Sequence, residues 1–112
     1  MFKFLNRAPQ GYTDLSPSEV HERLAADGRV QLIDVRSPAE YARGHIPKAR
    51  LIPLGELESR GEELKKDRDI ILYCQSSSRS RHGARILAKL GYENVFNMSG
   101  GIVRWPYGVK RS

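Results

Sequence analysis

Short continuous apolar runs alternate along this chain with stretches whose apolar positions recur every three or four residues. That is the pattern of strand, crossover helix and parallel strand repeated in series. Gln31-Leu32-Ile33-Asp34-Val35 and Asp69-Ile70-Ile71-Leu72-Tyr73 have the length and continuity of buried parallel strands. Asn94 to Met98 predicts a further strand, and Ala49 to Leu54 a less regular one. Between them lie helix signals. Ser16-Pro17-Ser18-Glu19 and Ser37-Pro38-Ala39-Glu40 each place an N-cap serine, a proline at the first helical position and a glutamate three residues after the serine. The first opens a helix over 17–26 that turns Val20 and Leu24 inward, and the second a short helix ending near Gly44. The charged segment 56–66 predicts one helix, or two short ones around Gly61. After Tyr73 comes Cys74-Gln75-Ser76-Ser77-Ser78-Arg79-Ser80, then a helix with Gly83, Ile86, Leu87 and Leu90 on its apolar face and Gly91 as its stop. Arg81, Arg85 and Lys89 form a second row, read as a solvated face with docking of an acidic protein as the sharper alternative.

Composition narrows the classes. At 112 residues the chain holds one domain, and 39% hydrophobic with 29% charged residues suits a folded globular one. No apolar run approaches the roughly 18 residues that cross a bilayer. No cleavable leader is evident, so a cytoplasmic location is expected, with no membrane partner. Nineteen Lys and Arg against 13 Asp and Glu give a formal charge of +6, which suits an anionic substrate. Without a helix-turn-helix or RNP pattern, nucleic acid is not expected as a partner. A single cysteine excludes an internal disulfide and a thiolate-rich zinc site, and no metal is expected.

The chemistry is expected at Cys74. In an open parallel sheet, ligands gather beyond the carboxyl ends of the strands, where helix N-termini present free N–H groups. A serine-rich loop between a strand and a helix folds its N–H groups into an anion nest. Those groups, the helix dipole and Arg79 favour thiolate over thiol, so Cys74 reads as an activated nucleophile. Gln75, Ser76, Ser77, Ser78, Arg79 and Ser80 are the candidate anion-binding residues. Arg36 is a further candidate, with pairing to Asp34 or a helix carboxylate as the alternative. His45 is expected to pack a turn, and Trp105 to line the core or a pocket.

Four short motifs stand in order: Asp34-Val35-Arg36, Gly44-His45-Ile46-Pro47, Cys74 followed after four residues by Arg79-Ser80, and Gly100-Gly101-Ile102 with Trp105 behind it. Together, over residues 12–106, they resemble the single-domain rhodaneses. The resemblance implies an α/β, three-layer fold, a five-stranded parallel sheet flanked by helices on both faces. It sets 12–108 apart as the domain, 1–11 as an N-terminal extension and 109–112 as a basic tail. It also implies a sulfurtransferase that takes a sulfane sulfur from thiosulfate or a persulfide donor, holds it as a Cys74 persulfide, and passes it to cyanide, a thiol or a protein acceptor. No cofactor is called for. The alternatives are a slow persulfide carrier or binding module of the same fold, and, less favoured, a cysteine-dependent phosphatase or arsenate reductase. The phosphatase pattern has five residues between its cysteine and arginine, against four here. The chain departs from the rhodanese pattern in having Ser77 where glycine is common and Gln75 where a basic residue is common. If residue 77 needs a positive φ, serine there costs about 1 kcal/mol, and glycine is expected to relieve it.

Overall fold

The structure, a computed structural model, describes residues 9–111. Residues 1–8 of the expected N-terminal extension, and residue 112, lie outside the described residues. The elements run β1 (Thr13–Leu15), α1 (Pro17–Ala26), β2 (Gln31–Asp34), α2 (Pro38–Arg43), β3 (Arg50–Leu51), α3 (Leu57–Arg60), β4 (Ile70–Tyr73), α4 (Ser78–Lys89) and β5 (Val95–Met98). Single 3₁₀ turns add Leu54–Glu56, Gly61–Glu63 and Ile102–Arg104.

All five strands pair in parallel, in the order β1-β5-β4-β2-β3. The central β4 is buried along its whole length, which accounts for its unbroken apolar run. Its alternate side chains feed two cores. Ile70 and Leu72 pack with Leu57, Ala84 and Leu87 under α3 and α4, while Ile71 and Tyr73 pack with Val20 and Tyr41 under α1 and α2. The expected three layers are present.

Both predicted capping boxes form. Ser16 Oγ accepts the Glu19 N–H at 3.2 Å while the Ser16 N–H donates to Glu19 at 2.8 Å. Ser37 and Glu40 repeat the exchange at 3.2 and 2.9 Å. Other expectations change. The strand expected over 49–54 shrinks to Arg50–Leu51; Ile52 and Leu54 still donate to the Asp34 and Val35 carbonyls at 3.0 Å, but the chain turns at Pro53 into the 3₁₀ turn Leu54–Glu56. Strand β1, which the apolar pattern did not mark, pairs Asp14 with Asn97 and Leu15 with Met98 at the sheet edge. Leu90, the C-cap of α4, is 38% exposed, whereas Ala84, not marked by the pattern, is fully buried. Arg81, Arg85 and Lys89 are exposed. Within the segment set apart as a tail, Lys110 and His45 exchange backbone hydrogen bonds at 2.9 and 2.8 Å, and Arg111 donates to the Arg43 carbonyl. No described helix is long and apolar enough to cross a membrane.

The topology chooses the place for a site. From β2 the chain proceeds outward to β3, whereas from β4 it proceeds to β5 on the opposite side. The sheet therefore switches direction between its neighbouring strands β2 and β4, and the crevice beyond their carboxyl ends is where such sheets bind ligands. Arg36 follows one strand and Cys74 the other. A cavity of about 360 Å³ lies there, with Arg36 and Gln75 in its wall.

Candidate active site

Cys74 is the first residue after β4 and is only 1% exposed. Helix α4 begins four residues later, and the chain covers that distance by curling around the sulfur. The N–H of Ser77 reaches Sγ at 3.1 Å and that of Ser80 at 3.3 Å, with Ser80 Oγ at 3.4 Å. Burial pushes the Cys74 thiol up; the Ser80 hydroxyl and the N–H groups of Ser80, Ser76 and Ser77 outweigh it, and the net shift is downward. The expected N–H nest is in place around the sulfur.

The curl requires a left-handed residue, and Ser77 supplies it at φ +102°. Its side chain is not idle. Ser77 Oγ accepts the Gly100 N–H at 2.7 Å and donates to the Met98 carbonyl at 3.3 Å, so the hydroxyl ties the loop to the turn after β5. That turn is a second support. Gly101 packs so tightly that a Cβ there would lie 2.3 Å from the Gln75 carbonyl oxygen, and the N–H groups of Ile102 and Val103 donate to the carbonyls of Cys74 and Gln75 at 2.9 and 3.3 Å.

Ser80 is fully buried, and its one proton has several acceptors around it. The nearest is Asn97 Oδ1 at 2.5 Å, with the Ser77 carbonyl at 3.1 Å. Asn97 is held in turn, its Nδ2 donating to Asp14 at 2.9 Å across the β1–β5 register. With the hydroxyl proton on Asn97, Ser80 Oγ offers a lone pair to the thiol; it turns the proton toward sulfur once the thiolate forms. Asn97 and Asp14 carry no sequence motif, and only the pairing of β1 with β5 shows their part.

Both arginines have carboxylate partners, which for Arg36 is the pairing with Asp34 named as the alternative to anion binding. Arg79 forms a bidentate pair with Glu40, Nη1 to Oε1 at 2.8 Å and Nη2 to Oε2 at 2.9 Å. The Arg79 hydrogen bonds, acting against a smaller penalty from burial, hold the Glu40 carboxyl down at about 2. Arg36 is buried against Asp34, with Nε at 3.0 and 3.1 Å from its two oxygens and Nη2 at 2.7 Å from Oδ2, and Nη2 also donates to the Gly44 carbonyl. Asp34 is fully buried, so this pair braces the end of β2. Gln75, Ser76 and Ser78 are exposed around the loop, and no described side-chain hydrogen bond fixes them.

His45 stacks on Tyr41 at 3.7 Å between centroids, and its Nδ1 meets the Tyr41 carbonyl at 2.9 Å, which suits the expected packing role. Trp105 packs on the same core as Tyr41, where it walls a separate groove with His21 and Tyr107. Among the described residues no group of three or more His, Cys, Asp or Glu is placed to hold a metal ion.

Comparison with known proteins agrees with this geometry. Over 92 residues the chain is 39% identical to a protein of Allochromatium vinosum named "Sulfurtransferase", covering 82% of this chain and 86% of that one. It is 35% identical over 97 residues to the "Putative sulfurtransferase YtwF" of Bacillus subtilis, covering 87% and 93%. Among solved structures, a rhodanese-related protein from Thermoplasma volcanium superposes with a TM-score of 0.82 at 27% identity, over 90% of this chain and all of that one. The model of the rhodanese-like domain matches residues 16–106, which span the Cys74 loop, α4 and the turn after β5, and the chain belongs to that family.

Proposed function

We propose that the chain transfers sulfane sulfur through a persulfide on Cys74. The observation that carries this is the convergence of the Ser77 and Ser80 N–H groups on a buried sulfur at the N-terminus of α4. Donors so placed stabilise the attacking thiolate. They also suit the anionic persulfide that replaces it, since both states put negative charge in one preorganised cradle.

With thiosulfate as donor, the Cys74 thiolate attacks the outer sulfur. A new S–S bond forms, the old one breaks, and sulfite leaves with its electron pair. The enzyme then holds Cys74–S–S⁻. An acceptor nucleophile attacks the outer sulfur of this group and releases the thiolate; with cyanide the product is thiocyanate. Cys74 itself carries the sulfur, and the scheme needs no cofactor. It is the single cysteine of the chain, so a thiol or protein acceptor comes from outside.

Intact mass after treatment with thiosulfate tests the reading. One added sulfur atom, removed by cyanide and absent in Cys74→Ser, is expected. No adduct in folded, reduced protein whose Cys74 is open to alkylation would overturn it.

A further inference from the structure

Both arginines of the site are already neutralised, and the means differ. Arg36 is committed to a fully buried Asp34, but Arg79 and Glu40 meet at the surface of the crevice, with side chains 38% and 22% exposed. Glu40 is not a chance partner. The Ser37 N–H donates to its Oε1 at 2.9 Å, so the capping box of α2 holds the carboxylate where Arg79 finds it. Glu40 also lines the cavity beside Gln75. Of the arginines in that wall, Arg43 has no carboxylate partner among the described residues.

The charge balance of the first step depends on the donor. Thiosulfate brings two negative charges to a thiolate, three in all, into a cradle whose nearby guanidinium is already paired. A donor of the form R–SO₂–S⁻ or R–S–S⁻ brings one. The cavity, at about 360 Å³, has Ile102 and Val109 in its wall to take an organic group that thiosulfate lacks.

We propose that Glu40, by clamping Arg79, is a specificity-determining residue that favours organic sulfane donors carrying one negative charge over dianionic thiosulfate. The proposal rests on the sulfur-transfer reading. Glu40 touches neither sulfur nor donor; it acts by withholding the Arg79 charge and by adding its own.

Two probes with the same outer sulfur separate charge from chemistry. Methanethiosulfonate transfers sulfur to the Cys74 thiolate with loss of methanesulfinate, and thiosulfate does so with loss of sulfite. Second-order rates of persulfide formation, read by intact mass, are compared in wild type and Glu40→Gln. Glutamine keeps an oxygen for the Ser37 N–H and removes the charge. Because the attraction scales with donor charge, freeing Arg79 is expected to speed thiosulfate about tenfold and methanethiosulfonate about threefold. Wild type is expected to favour methanethiosulfonate. If Glu40→Gln leaves the ratio of the two rates unchanged, or slows thiosulfate, the proposal fails while sulfur transfer stands. No loading of wild type from either donor overturns both. Should Glu40→Gln fail to fold, Glu40→Ala gives the same comparison, with the same outcomes deciding it.

Discussion

The hydroxyl of Ser77 accepts the backbone N–H of Gly100 at 2.7 Å, joining the sulfur-binding loop to the turn that follows β5. A serine held at φ +102° costs about 1 kcal/mol against glycine, and this bond, with the one to the Met98 carbonyl, offsets that cost. The condition for glycine to relieve strain, a positive φ at residue 77, is met, and the loss of these two hydrogen bonds opposes that relief. Ser77→Gly is expected within about 1 kcal/mol of wild type, because relief of strain and loss of two hydrogen bonds oppose each other. Ser77→Ala keeps the strain and loses the bonds, and is expected about 1–3 kcal/mol less stable than wild type. Urea denaturation of the three proteins checks the order; alanine as stable as wild type would show that the hydroxyl contributes nothing.

Ser80 gives a prediction in pH. Its hydroxyl and N–H are the leading groups that draw the Cys74 pKa down against burial. Removing a donor from the thiolate raises the pKa, so Ser80→Ala is expected to move the midpoint of Cys74 alkylation upward. Between the two midpoints the variant reacts more slowly. Well above both, the rates converge. An unchanged midpoint would place the hydroxyl proton permanently on Asn97.

Gly101 admits no side chain. At φ +68°, with the place of a Cβ 2.3 Å from the Gln75 carbonyl oxygen, alanine must push the loop away from the turn. Gly101→Ala is expected to cost about 3 kcal/mol and to slow persulfide formation. Thermal melting and thiosulfate loading measure the two effects. A stable variant that loads at the wild-type rate would show that the turn does not hold the cradle.

Arg36 distinguishes bracing from anion binding. Removing it leaves the fully buried Asp34 carboxylate without its partner, so Arg36→Met is expected to lose about 3–5 kcal/mol. Equilibrium unfolding reads this directly. Unchanged stability with weakened donor binding would favour the anion-binding alternative for Arg36.

The Glu40–Arg79 pair should show itself in acid. Glu40 is held at about 2, below its ordinary 4.5, so the pair's contribution is complete above 4.5 and is lost as pH falls through 2. For a partly exposed pair that contribution is about 1 kcal/mol. The stability gap between wild type and Glu40→Gln is expected to be constant from neutral pH down to about 4.5 and to close toward pH 2. A gap that persists unchanged below pH 2 would assign the loss to the helix cap instead of the ion pair.

By itself the sequence determined the elements whose signals are local. The apolar run of β4, the two capping boxes and the stop of α4 at Gly91 act within a few residues of one another, and the structure forms each of them. The placement of Cys74 between a strand and a helix was legible for the same reason, since strand, serine-rich loop and helix form one contiguous segment. The sign of φ at Ser77 was left open by the sequence, and the structure makes it positive. Tertiary structure decided which groups serve the sulfur and which serve the scaffold. Arg79 and Glu40 are 39 residues apart, and Ser80 meets Asn97 across 17, so no spacing rule connects them. Asp14 reaches Asn97 only because a three-residue edge strand, too short to show a pattern of its own, pairs with β5. Charge is the quantity most changed by this. Counted along the chain, Arg36 and Arg79 are two cations available to an anion. Packed against Asp34 and Glu40 they are neutral pairs, because the fold brings each within hydrogen-bonding distance of a carboxylate held in place by its own backbone surroundings.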